Sequence, residues 1–150
     1  MPLTFEVSGR IARPVHEVFE AVVDPATLSR YFTTGGASGR LEAGATVQWD
    51  FADHPGAFPV DVVEVDPDRR IVLRWAAPDD GGPAYQTQVT IDFAPTDDGR
   101  TLVTIREEGW RDNATGQAAS YGNCEGWSQM LAALKAWLEH GINLREGYYA

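Results

Sequence analysis

Phe5, Val7, Gly9 and Ile11 alternate with polar residues, the period-two pattern of a strand with one buried face. Pro14 can open a helix, since a first-turn residue has no N–H bond to lose. Val15, Val18, Phe19 and Val22 then fall at i, i+3, i+4 and i+7, an amphipathic stripe. Asp24-Pro25 closes that helix and can cap a second, short one carrying Leu28, Tyr31 and Phe32. The glycine-rich run Thr33 to Gly39 follows a helix and precedes a strand. A phosphate cradle needs the opposite order, so a mobile loop is expected here.

Five further strands are expected in quick succession. Val47, Trp49 and Phe51 alternate; Val60 to Val65 is β-branched and stops at Asp66-Pro67-Asp68, a turn signal. Ile71, Leu73 and Trp75 share a face, as do Tyr85, Thr87, Val89, Ile91 and Phe93. Thr96-Asp97-Asp98-Gly99 reads as a hairpin turn into a last strand, Leu102 to Glu108. Short turns between consecutive strands imply antiparallel pairing. From about Asn113 to His140 the chain reads as one long helix. Its stripe is Trp127, Met130, Leu131, Leu134 and Leu138, and Gly141 suits the residue beyond its end. In its first half, Ala118, Gly122 and Gly126 stand four apart. A helix-interior glycine costs on the order of 1 kcal/mol relative to alanine, so close approach or empty space must explain these two.

The order is strand, two helices, five strands, long helix: an α+β chain read as a single domain over residues 1–150. A helix is ~10–12 Å across and each strand adds ~4.8 Å, so one helix cannot cover six strands unless the sheet curls around it. A six-stranded curved antiparallel sheet wrapped around the C-terminal helix is expected, with two short helices between strands 1 and 2. The small helix face would leave a hollow beneath it. Its sheet-side lining is expected from Trp49, Phe51, Trp75, Tyr85, Thr87 and Val89. Its helix side would offer Tyr121, Gly122, Trp127 and Met130, with Trp110 at the rim. Apolar walls with a few polar handles are the usual form of a small-molecule site.

Charge narrows the partners. With 12 Lys+Arg against 22 Asp+Glu the formal charge is −10, and the cations are scattered, so nucleic acid is not expected. Cys124 is the one cysteine, which excludes an internal disulfide and a multi-thiolate zinc site. The first residues lack a basic region followed by an apolar run, and no stretch approaches the ~20 apolar residues of a membrane span. A cytoplasmic location is the expectation. Neither metal nor cofactor is indicated, because no paired-histidine or cysteine–histidine spacing occurs.

Three residues are candidates for acid–base chemistry. Alternation sends Glu107 inward with Val103 and Ile105, where burial would raise its pKa; at a twisted strand end it could instead reach water or an arginine. His54, in the segment Asp53-His54-Pro55-Gly56, is either a base at the cavity mouth or an ordinary loop residue. Tyr121 could turn its hydroxyl into the hollow or simply pack. His16 reads as a surface residue, and His140 as a C-terminal cap of the long helix. Cys124 has no basic neighbour to lower its pKa, and Ser120 and Ser128 lack a nucleophile-elbow setting.

Longer patterns carry a family resemblance. Ile11-x-x-Pro14-x-x-x-Val18-Phe19-x-Ala21-x-x-Asp24-Pro25-x-x-Leu28-x-x-Tyr31-Phe32 resembles the opening motif of the START/pollen-allergen-like helix-grip superfamily, which also includes polyketide cyclases. Gly44-x-x-Val47-x-Trp49, the segment Val62 to Val72, and Gly126-Trp127-x-x-x-Leu131-x-x-Leu134-Lys135-x-x-Leu138-Glu139-x-Gly141 are similar to the branch of activator of heat shock protein 90 ATPase homologues. The tryptophan that the family usually carries near Tyr31-Phe32 is absent. The resemblance implies a helix-grip fold with a cavity between the C-terminal helix and the sheet. It implies no single reaction. Three readings stay open: non-catalytic binding of a small apolar or aromatic molecule, a cyclase- or hydratase-type enzyme, and a chaperone-interacting module. A homodimer is compatible with each.

Overall fold

The structure, a computed structural model, describes residues 2–149. Its elements in chain order are β1 (Leu3–Ile11), α1 (Val15–Val23), α2 (Pro25–Tyr31), β2 (Gly36–Ser38), β3 (Thr46–Phe51), β4 (His54–Asp66), β5 (Arg70–Ala76), β6 (Gln86–Pro95), β7 (Thr101–Trp110) and α3 (Ala114–His140). One antiparallel sheet runs β1-β7-β6-β5-β4-β3-β2. The strands from β2 onward form a meander, and β1 closes on the last of them.

Seven strands form where six were expected, and the extra one comes from the glycine-rich run. Gly35 lies so close to Asp50 that a Cβ would sit 2.9 Å from its carboxyl carbon, and Gly36 has φ 120°. The glycines therefore let an edge strand, β2, lie against β3. β4 also begins six residues earlier than its β-branched core suggests, because His54 pairs back onto Phe51 through a tight hairpin.

The helices cover one face of the sheet. Phe19 of α1 meets Phe93 of β6 edge-on at 5.5 Å. Asp24 caps α2 by accepting from Ala26 N at 3.4 Å and is steadied by Thr27 Oγ1 at 2.8 Å, and Tyr31 donates to the Ala21 carbonyl, tying α2 to α1. Leu131 of α3 packs over Gly9 of β1, 3.9 Å from where a Cβ would be. α3 begins with Asn113, whose side chain accepts from Gly116 N at 2.8 Å. It ends in an αL cap: Gly141 has φ 68° and its N–H donates to Trp137 O at 2.9 Å, while Ile142 N donates to Ala136 O. Among the described residues no helix is long and apolar enough to cross a membrane.

The sheet-facing side of α3 is not the small-residue face. Ala118 and Gly122 are exposed and Gly126 half-buried, while Ser120, Trp127, Met130 and Leu134 turn inward. Beneath the second half of the helix the interior is closed to solvent. Trp127, Met130 and Leu134 are at most 2% exposed.

Candidate functional site

Alternation along β7 carries Val103, Ile105 and Glu107 inward, and all three are fully buried. Strand register then gathers donors around the Glu107 carboxylate. Val89 of β6 pairs opposite Glu107, and Thr87, two residues back on the same face, pairs opposite Trp75 of β5. Thr87 Oγ1 donates to Oε2 at 2.7 Å, and the Trp75 indole donates to the same oxygen at 2.9 Å. From α3, the Trp127 indole donates to Oε1 at 3.0 Å. Asn123 Nδ2 lies 3.2 and 3.0 Å from Oε1 and Oε2.

Indole N–H groups can only donate, so this ring of donors suits a carboxylate and seats it firmly. Burial is the largest influence on its pKa and pushes it above the usual 4.5, opposed by the bonds from Trp75, Thr87, Asn123 and Trp127. Both oxygens are engaged. Glu107 ties α3 to the sheet; to act as a base it would first have to release a donor.

Three of the four donors to Glu107, Trp75, Asn123 and Trp127, form one wall of a recess. Phe32, Phe51, Trp75, Trp127 and Asn123 line an open hollow of about 150 Å³, together with Gly122, Gly126 and Arg145. Phe32 lies 5.4 Å from Trp127, and Trp75 lies 5.6 Å from Trp127 on the other side. Trp49 and Phe58 stand behind, each about 6 Å from Trp75. A Cβ on Gly122 or Gly126 would meet no atom within 4 Å. The small-residue face of α3 thus borders open space at the side of the sheet rather than an enclosed hollow under it.

Arg145, beyond α3, completes the recess. Its guanidinium lies 4.5 Å from the Phe51 ring centre and 5.7 Å from that of Phe32, within cation–π range. Nη2 reaches both oxygens of Asp53 at 3.2 Å. The Arg145 side chain is only 10% exposed, and its Nε has no hydrogen-bond partner.

Trp75, Thr87, Trp127 and Glu107 thus form one unit, with Phe51 and Gly122 at its open side. The remaining candidates lie elsewhere. Tyr121 points outward, 68% exposed, its hydroxyl bonded to Gln117. His54 is exposed on β4. Tyr85 is held under Arg111, 4.1 Å from its guanidinium, and its hydroxyl accepts from Arg111 N. Trp110 stacks on Phe5 at 5.8 Å. Val89 and Met130 are core residues with no exposed surface. Sequence patterns missed Asn123, Phe32 and Arg145. Asn123 stands four residues before Trp127, hence on the same helix face, which was a usable signal. Arg145 carries none, because only the folded tail brings it to Asp53.

A curved antiparallel sheet holding a long C-terminal helix defines the helix-grip class. Within it, the profile of the family described as "Activator of Hsp90 ATPase homolog 1-like protein" matches residues 12–139, and the chain belongs to that family. Among solved structures, protein SSP2350 from Staphylococcus saprophyticus is 27% identical, with 95% of this chain and 96% of that one covered and a TM-score of 0.77. DynU16, from the dynemicin biosynthetic locus, is 26% identical with a TM-score of 0.77; the match covers 94% of this chain and 49% of that one. The Aha1 dimer from Colwellia psychrerythraea is similar in fold, with 18% identity, coverage of 93% and 98%, and a TM-score of 0.76. No curated protein matches the chain.

Proposed function

We propose that the protein binds a small apolar or aromatic molecule in the recess walled by Phe32, Phe51, Trp75 and Trp127, without transforming it. The observation that carries this reading is the pairing of an aromatic wall with open space over Gly122 and Gly126. Helix-interior glycines are unfavourable by ~1 kcal/mol each, and here neither close packing nor a positive φ accounts for them. The volume supports a ligand of modest size, since a 150 Å³ apolar cavity accepts a benzene-sized guest. Non-catalytic binding is favoured because the buried carboxylate is saturated by its donors.

Indole, a neutral aromatic, is a suitable probe. Titrated into 15N-labelled protein, it is expected to bind in the millimolar range, about −4 kcal/mol, and to shift the indole N–H signals of Trp75 and Trp127 together with the Gly122 and Gly126 amides. Shifts confined to other regions, or none at saturating probe, would remove the recess as the binding site.

A further inference from the structure

Arg145 is the one charged residue in the lining of the aromatic recess. It is also shared with a second hollow of about 390 Å³ whose lining includes Thr34, Asn143 and the two acids Asp53 and Glu146. Arg145 therefore stands between the aromatic recess and a hollow of mixed polar and apolar lining. Its backbone is held in place, because the Asn143 side chain accepts from both Arg145 N and Glu146 N, at 3.1 and 3.2 Å.

The bonding of the guanidinium is incomplete. Asp53 meets Nη2 alone, with both oxygens at 3.2 Å, and Nε is buried without a partner. A well-matched carboxylate instead takes two parallel N–H donors at about 2.7–2.9 Å. A buried donor left unpaired is costly, so a partner that reaches Nε and Nη2 together is favoured over the present contact. A carboxylate on a ligand already resting against Phe51 and Phe32 is well placed to do so, since the guanidinium lies over those same rings.

Resting on the recess reading above, we infer that the ligand is a small aromatic carboxylate. Its ring lies against Phe51, Trp75 and Trp127, and its carboxylate pairs with Arg145 in competition with Asp53. The ligand is a monoanion of about one ring, and its polar end is directed toward the Thr34 and Asn143 side.

Phenylacetate and phenylacetamide have nearly the same shape and differ in charge, so they test this directly. Binding of each is followed through the Trp75 and Trp127 indole N–H signals in wild-type protein, Arg145→Gln and Asp53→Asn. In wild type, phenylacetate is expected to bind at least tenfold more tightly than phenylacetamide. Arg145→Gln should abolish that preference while phenylacetamide still binds. Asp53→Asn, which removes the competing carboxylate, should tighten phenylacetate severalfold and leave the amide unchanged. Such a gain of affinity does not arise if Arg145 only braces the tail. Equal affinities in wild type, or a preference that survives Arg145→Gln, would overturn the carboxylate inference and leave the recess standing. Failure of both probes to move either indole signal would overturn the recess reading as well.

Discussion

Removing the Glu107 carboxylate strands four donors at once. Thr87 and Trp127 are fully enclosed, and each unpaired buried donor costs ~1–3 kcal/mol. Trp75 and Asn123 border the recess and can turn to water. Glu107→Leu is therefore expected to lower stability by roughly 3 kcal/mol or more, measured by urea unfolding; a loss under about 1 kcal/mol would show that the donors do not depend on the carboxylate. Glu107 is also where sequence reading reached furthest. Period-two alternation from Val103 places it inside, and the same rule places Thr87 and Trp75 on the inner face. Alternation says nothing of distance, however, so it could not separate Tyr85, drawn away by Arg111, from Thr87 on the same face.

At the level of elements, hydrophobic period recovers the strands and helices with strong apolar stripes. It misjudges those whose determinants are geometric. β2 is three residues of glycine, alanine and serine with no apolar stripe, and it exists because Gly35 fits against Asp50. The first half of α3 is the instructive case. Spacing four apart correctly groups Ala118, Gly122 and Gly126 on one face, but a rotation of one position decides whether that face meets the sheet. Asn123 and Trp127, bonded to Glu107, set the rotation and turn the glycines toward the open side. The tail beyond Gly141 has no periodic pattern, so the position of Arg145, set by tertiary contacts with Asp53, Phe51 and Phe32 and by the Asn143 turn, left no signal in the sequence.

The whole molecule carries two opposed pH responses. Asp80 is held down to about 2 by bonds from Gly82, Asn113 and Arg111, and Glu20 is lowered by Arg40. Groups of this kind stabilise the fold above their ordinary range and cease to do so as pH falls through their native values. Glu107 has the opposite sign. Its native pKa lies above the unfolded 4.5, so the native state holds the proton more tightly, and stability falls as pH rises from about 4.5 through the native value. His16, raised by its hydrogen bond to Asp68, adds a decline in the same direction from 6.5 upward. Tm is expected to peak in weak acid and decline toward neutrality, with a shallower decline in Glu107→Gln. A wild-type Tm that rises from pH 5 to 8 would contradict this. Across the molecule, an interior closed to solvent lies beside an unfilled aromatic recess, and Gly122→Leu tests whether that space is what binds. The leucine improves helix propensity by up to ~1 kcal/mol and projects where no atom lies within 4 Å of a Cβ. The expected result is an unchanged or slightly higher Tm with indole binding at Trp75 and Trp127 abolished; undiminished binding, or a Tm lowered by a clash, would contradict it.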